Sequence, residues 1–404
     1  MSDSSGRGPL SHLKVVELGA FIAGPFCGQL LADLGAEVVK VEPPGQGDPM
    51  RQWGAEKTPS GRTLWWSIIG RNKKSVTLDL RKPAGQEVAR SLLRQADVLI
   101  ENFRPGTLES WNLGPEDLRR LNAELIVARV SGFGQDGPYR ARAGFAAVAE
   151  AMAGLRHLTG YPDRMSTRTG ISIGDSLAGL YACIGILASL VARGRGPSGG
   201  QVVDVAIAES VLSVLESVVA EYAATGAVRQ RTGSVLPRIA PSNLYPTLDG
   251  RHVLIAANAD GLFQKLTHAM GRPELAVDPR YATHAARGER QQELDDLIAG
   301  WSATITSETL LRLMEEAGVP AGPVNDAAAI AADPHFRARA AIVELPDPEL
   351  GTVTMQGVVP KLSQTPGQVR WTGPALGEHN DQILIGRLGM TPEEVAALKV
   401  AGVV

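Results

Sequence analysis

The sequence predicts an α/β fold, a parallel sheet covered by helices, followed by a smaller α+β unit. Three observations carry this. The first third alternates short, largely apolar strands with helical stretches; hairpin and helix patterns follow in a second stretch beyond residue 243; and the chain as a whole, with 45 Gly, 26 Pro and only 5% aromatic residues, has the composition of a loop-rich α/β protein. A strand over 14–18 leads through a turn at 19–25 into a helix over 26–34, stopped by Gly35, and then into a strand over 36–42. A second βαβ unit takes 75–80, 86–95 and 97–101, with Pro83 and Asp97 as punctuation. A third opens a helix at Pro115 and reaches a strand over 125–130. Helical periodicity then covers 145–155 and 176–193, followed by a Gly/Pro/Ser break at 194–200, a strand over 201–205 and a long helix over 206–223.

Residues 226–243 change composition, carrying Arg229, Arg231 and Arg238 without periodicity, and read as a linker or an active-site loop. Asp249-Gly250 between β-forming residues predicts a hairpin over 245–256. Helices over 262–270, 291–303 and 307–317 make the α+β unit, which residues 320–323 close. Short strands follow from Ile342, including 351–355. A last helix starts at Thr391, where Glu394 completes a capping box.

The chain has 404 residues, 43 acidic against 40 basic, and 44% hydrophobic residues. A net charge of −3 provides no field for a nucleic acid or an anionic membrane, so any basic site must be local. Cys27 and Cys183 are too few for a disulfide framework, and a reducing cytoplasm is expected. Residues 1–8 are polar, unlike a signal peptide. The longest apolar run, 177–192, is shorter than the ~20 residues of a membrane span and reads as a buried helix.

Among candidate chemistry, Gly19-x-x-x-x-Gly24-Pro25 departs from the G-x-G-x-x-G of dinucleotide binding, and Pro25 removes an amide donor. The turn reads as a tight strand-to-helix connection or as the border of another nucleotide-bearing ligand; an NAD-dependent oxidoreductase stays as the reading from another class. Asp175, before an apolar helix, is most simply its N-cap. The same place suits a nucleophile: the helix dipole keeps the carboxylate ionised, nearby backbone N–H groups would receive an oxyanion, and Gly174 would leave room for a carbonyl. Residues 71–74 (Arg-Asn-Lys-Lys), with Arg81 and Lys82, are either a solvated face or a phosphate clamp. The histidines show no metal-ligand spacing, and His379 reads as part of a cap region. No G-x-S-x-G elbow or P-loop is present.

Taken in order, Ala23-Gly24-Pro25-Phe26, residues 34–42 (LGAEVVKVE), Asn72-Lys73-Lys74-Ser75, Glu101-Asn102-Phe103, Ser131-Gly132-Phe133-Gly134, Gly174-Asp175, Ala321-Gly322-Pro323 and Leu376-Gly377-Glu378-His379 resemble the family III CoA-transferases. That group includes formyl-CoA transferase and, with different chemistry, α-methylacyl-CoA racemase. The resemblance implies a Rossmann-like large domain at 9–224, a linker at 225–243, a small domain at 244–330 and a return segment at 331–404, in an interlocked homodimer. It places the catalytic residue on Asp175. It places CoA contacts on Ile22 and Ala23, on Leu78, Asp79, Leu80 and Arg81, on Asn102, Phe103 and Arg104, and on Ala143, Gly144, Phe145 and Ala146. Arg81 and Arg104 are the phosphate partners it suggests.

Ile22 stands where formyl-CoA transferase has Gln, and that enzyme's glycine-rich loop has no counterpart near 258–262, which disfavours formyl-CoA and oxalate. Phe145 replaces the racemase's proton-transferring His, which makes racemisation the runner-up. Arg142-Ala143-Gly144-Phe145 and Arg51-x-Trp53-Gly54 point to succinyl-CoA-dependent, dicarboxylate-type members. The resemblance therefore implies CoA transfer between carboxylic acids, with CoA as part of the substrate and neither a permanent cofactor nor a metal. A second, different subunit is a further possibility within the family. A distal carboxylate would need a cation, for which Arg51, Arg71, Arg142 and Arg238 are the candidates.

Overall fold

The computed structural model describes residues 8–54, 62–194 and 199–404. The polar start at 1–7 and the centre of the predicted break at 194–200 lie outside the described residues. The chain divides into two compact units. One comprises Met1–Leu155, Thr169–Val219 and Pro334–Val404, and the other Arg156–Arg168 and Ala220–Asp333.

The first unit is built on six parallel strands: β1 (Lys14–Glu17), β2 (Glu37–Glu42), β3 (Lys73–Thr77), β4 (Val98–Glu101), β5 (Ile126–Ser131) and β6 (Val202–Ala206), in the order β3-β2-β1-β4-β5-β6. Successive side chains of a strand point to opposite faces, and in the inner strands both faces are buried, so apolar residues fill both, with Glu17, Lys40 and Glu42 set among them. Val15 faces one core with Val38 and Ile100, covered by the Ala23–Asp33 and Ile173–Arg193 helices through Cys27, Leu31, Ala182 and Ile186. Val16 faces the other with Val39 and Leu99, covered by the Pro83–Leu93 and Pro115–Leu121 helices and by Ile383, Leu384 and Val395 near the C-terminus. The return segment is tied to the β3 edge by Asn72 N to Trp371 O at 3.2 Å, His379 N to Ser75 O at 3.0 Å and Asp79 N to Val403 O at 2.8 Å. It also carries the hairpin β10 (Ile342–Asp347) and β11 (Gly351–Gln356) and the Pro392–Val400 helix, whose Thr391–Glu394 capping box is formed.

The second unit has the antiparallel order β7 (Ser242–Pro246), β8 (His252–Ala256) and β9 (Ala321–Pro323). Gly250, at φ 73°, takes the left-handed turn position of the predicted hairpin. The segment expected merely to close this unit is its third strand. Tyr245, Ile255, Phe263, Leu294 and Leu310 make its core. Residues 156–168 and part of 226–243 join it because Arg231 donates to the carbonyls of Tyr161 (3.1 Å) and Arg164 (3.0 Å) and Gly233 N to that of Gly160 (2.9 Å).

Three helical stretches differ from expectation, the first being 145–155, whose helix ends at Met152 ahead of a turn at Gly154, φ 98°. The long helix at 206–223 is broken into Ile207–Leu212 and Val218–Thr225, with Glu216 between them at φ 54°, a conformation no right-handed helix continues through. The apolar run at 177–192 lies in the 21-residue Ile173–Arg193 helix, long and apolar enough to cross a membrane by length and composition. It is buried on one face only. Leu180, Tyr181, Ile184 and Val191 stand exposed on the rest.

Candidate active site

The strand order reverses between β1 and β4, and open α/β sheets take ligands in the crevice beyond the carboxyl ends at that point. Asn102, just past β4, locks the turn past β1: its Oδ1 accepts from Ala20 N at 2.7 Å and its Nδ2 donates to Ala20 O at 2.7 Å. Only glycine fits beside it at position 19, where a Cβ would stand 2.7 Å from Asn102 Oδ1. The next residue but one, Phe21, is held at φ 63°, an outlier for a bulky side chain. Its N–H donates to Asp48 Oδ1 at 3.1 Å, and its ring meets Trp53 at 5.7 Å and Phe145 at 6.0 Å between centroids.

Two cavities open along this edge. One, of about 230 Å³, is lined by the ends of β1 to β3, including Leu78, Asp79, Leu80 and Arg81, with Phe103 and Trp111. The other, of about 300 Å³, is lined by Ile22, Ala23, Asn102, Phe103, Arg104, Gly144, Phe145, Ala146 and Asp175, together with Phe21, Trp53, Ser131, Phe133, Arg140, Arg142 and Ile207. Phe103 belongs to both walls, with Trp111 edge-on at 5.1 Å. Of the residues on which the resemblance places catalysis and CoA contacts, Ala143 alone lines neither cavity and is exposed. Its neighbour Gly144 lies against the end of β5, where a Cβ on Gly132 would come 2.8 Å from Gly144 Cα. Arg140, Phe21 and Ile207 were not singled out. The Arg-x-Arg spacing at 140–142 was the available signal for the first, whereas the strained turn and the packing of Ile207 have no local signature.

Asp175 is the third residue of the Ile173–Arg193 helix, with Ser172 as the N-cap, so it does not cap the helix. It stays in the first turn, where the helix dipole favours its ionised form, and is half-buried in the cavity wall. Two details of the sequence reading change. Gly174 N–H already donates to Glu150 Oε1 at 3.2 Å and is not open to an oxyanion. Gly174 is also buried, serving close packing: its Cβ would lie 3.1 Å from Glu150 Cγ and 3.3 Å from Ile207 Cγ2.

Nor are residues 71–74 a phosphate clamp. Arg71 pairs with Asp33 at 2.6 Å, Asn72 Nδ2 donates to Asp33 at 2.8 Å, Lys73 pairs with Glu17 at 2.7 Å and Lys74 with Glu37 at 2.7 Å. Three of the four side chains are buried, and isolated charges do not stay buried. The same network lies beneath the crevice. Lys40 reaches Glu17 at 2.9 Å and Asp48 at 2.8 Å, and Arg51 pairs with Glu42 at 2.7 Å. Burial alone would lower the Lys40 pKa, but Asp48, Glu17 and Glu42 hold it well above its ordinary value. Burial would raise Glu42 and Asp48, but Arg51 and Lys40 respectively keep both carboxyls below theirs.

This leaves few cations for a ligand. Arg51 is consumed by Glu42, by Pro374 O at 3.0 Å and by stacking on Trp66 at 3.7 Å; Arg71 is consumed by Asp33. Arg238 lines neither cavity. Arg81 is largely exposed and forks onto Asp79 at 2.8 and 3.0 Å. Arg104, Arg140 and Arg142 are exposed at the cavity that contains Asp175. His379 Nδ1 accepts from Ser75 N at 3.3 Å, and burial pushes its pKa down, a structural role beside the Asn380–Leu384 helix.

A doubly wound sheet, cavities on both sides of its switch point and an acidic side chain in a helix's first turn define an α/β protein for a nucleotide-bearing ligand with a reactive end. The chain belongs to CoA-transferase family III, whose model matches residues 10–380. It is 56% identical over 404 residues, 100% of both chains, to the succinyl-CoA–D-citramalate CoA-transferase of Chloroflexus aurantiacus. It is 42% identical over 395 residues, 97% of both chains, to the beta subunit of succinyl-CoA–L-malate CoA-transferase from the same organism. A solved CaiB/BaiF family protein from Brucella suis superposes with a TM-score of 0.83 at 36% identity, covering 94% of this chain and 99% of that one.

Proposed function

We propose that this enzyme transfers CoA from succinyl-CoA to a C4-chain dicarboxylic acid, with Asp175 as the nucleophile. The observation that carries the reading is Asp175 in the wall of a cavity that shares Phe103 with a second cavity lined by Leu78–Arg81. One long ligand would thread both, nucleotide at one end and thioester at the other. The names of the two relatives above, which act on D-citramalate and L-malate, support the substrate class.

The Asp175 carboxylate attacks the thioester carbon and the C–S bond breaks, giving a mixed anhydride and CoA thiolate. The thiolate attacks the aspartyl carbonyl, releasing succinate and leaving an aspartyl-CoA thioester. The acceptor carboxylate attacks that thioester, forming a second anhydride and freeing the thiolate again. Thiolate attack on the acceptor's carbonyl releases the new acyl-CoA and restores Asp175. Each step is an acyl substitution, so neither a redox group nor a metal is required. Nucleotide binding far from the carbonyl holds the thiol in place between steps. Ile22, Ala23, Asn102, Phe103, Arg104, Gly144, Phe145 and Ala146 would line the path to the thioester, with Leu78–Arg81 at the nucleotide end.

Racemisation requires a second proton carrier, and Phe145 in the cavity wall has no proton to give. The protein acts as a homodimer in this reading, the exposed apolar side chains of the Ile173–Arg193 helix being covered by a second copy; sedimentation would report it. Free, buried Cys27 and Cys183 suit a cytoplasmic setting. Mass spectrometry of succinyl-CoA incubated with a panel of mono- and dicarboxylic acids tests the reaction. The expected result is a new dicarboxyl-CoA that disappears in Asp175→Ala; near-normal turnover in that variant refutes the assignment.

A further inference from the structure

We infer that Arg142, with Arg140 beside it, holds the distal carboxylate of the acyl group, and so sets the preference for dicarboxylates. The inference rests on the CoA-transferase reading above. Its first support is direction. The cavity with Leu78–Arg81 spans the ends of β3, β2 and β1, and the cavity with Asp175 spans those of β1, β4, β5 and β6. Four strand spacings, ~19 Å, separate β3 from β5. A CoA with its nucleotide at the β3 side therefore reaches Asp175 across β4, passing Arg104. Beyond the thioester the acyl group continues toward β5, where Arg140 and Arg142 line the wall.

The second support is the state of Arg142. Its guanidinium lies 3.7 Å over the Tyr139 ring, and Tyr139 meets Phe133, in the cavity wall, edge-on at 5.9 Å. Among the described residues neither Arg140 nor Arg142 has a carboxylate partner. Stacking orients the guanidinium plane and leaves its edge N–H groups for a bidentate carboxylate, a geometry lysine cannot reproduce. Arg51 and Arg71, which looked equally available in the sequence, are spent on Glu42 and Asp33. An unreactive carboxylate entering this cavity needs a charge partner, and the arginines at the acyl side supply it.

A CoA phosphate is the other anion that a guanidinium could take, and the experiment separates the two. Wild type, Arg142→Ala, Arg142→Lys and Arg140→Ala are assayed with succinyl-CoA and each of two acceptors, a dicarboxylate and its half-amide; the affinity for free CoA is measured by calorimetry. In Arg142→Ala the dicarboxylate KM should rise about 10- to 100-fold and the preference over the half-amide collapse, with the CoA Kd within about twofold of wild type. Arg142→Lys should recover part of the preference, and Arg140→Ala should shift it in the same direction by less. A CoA Kd that weakens in step with KM assigns Arg142 to a phosphate and overturns the inference, as does an unchanged acceptor preference. Failure of the wild type to make any dicarboxyl-CoA would refute the underlying reaction instead. Unfolding midpoints of the variants confirm that these exposed substitutions leave the fold intact.

Discussion

Asn102→Ala should both destabilise the first unit and weaken CoA binding. Asn102 makes two reciprocal hydrogen bonds of 2.7 Å to the backbone of Ala20, tying the segment past β4 to the turn past β1. Ala20 is half-buried at a cavity wall, so water can replace the lost partner. The net loss is then the ordinary 0.5–1.5 kcal/mol per bond, about 2 kcal/mol in all. Urea unfolding followed by circular dichroism measures it. A crevice that must re-form when ligand arrives adds a similar cost to binding, so the CoA Kd by calorimetry should rise by roughly tenfold or more. Asn102→Asp keeps the acceptor for Ala20 N but sets an oxygen where Nδ2 met Ala20 O, and adds a negative charge where an anion binds. Its CoA affinity should be the lower of the two. An Asn102→Ala protein whose unfolding free energy lies within about 0.5 kcal/mol of wild type, the scatter of plain surface changes, and whose CoA Kd is unchanged would refute the reasoning.

Gly28→Ala should cost about 3–5 kcal/mol, measured in urea, because its Cβ would sit 1.9 Å from Glu17 Oε2 and must dislodge a buried carboxylate from Lys73 and Lys40. Glu42 supplies a pH signature. Its folded pKa lies below the ordinary 4.5, so its contribution is fully present above that value and is lost as pH falls through the folded pKa. The stability gap between wild type and Glu42→Gln should thus be constant from pH 7 to about 5 and close below ~4.5, where the wild-type carboxyl also becomes neutral. A gap that does not narrow in acid would show that the charge on Glu42 contributes nothing.

Much of the fold was legible locally. The capping box at Thr391–Glu394 needs only four residues of sequence, and the hairpin at Asp249-Gly250 scarcely more. Asp175 could be placed near a helix start, though the exact position in the first turn could not, since Ser172 and Asp175 are both acceptable caps by type. The break at Glu216 carried no glycine or proline to announce it, and the periodicity ran straight through it. Phe21 is ordinary in sequence. Its strained backbone exists because Asp48, 27 residues away, takes its N–H.

The sequence by itself determined the alternation of strand and helix and the placing of Asp175 near a helix start, because periodicity, turn chemistry and capping act over a few neighbouring residues; the order of the strands, and with it the switch point, did not follow from that alternation. The allocation of charge was decided only by the tertiary structure. Arg51, Arg71, Lys73 and Arg142 look alike as cations in the chain. Folding brings Glu42 and the carbonyl of Pro374, 323 residues distant, to Arg51, and Asp33, 38 residues distant, to Arg71. A buried charge must find such a partner, and no short-range pattern records which ones do. Arg142, stacked on Tyr139 at the cavity edge, has no such carboxylate partner among the described residues.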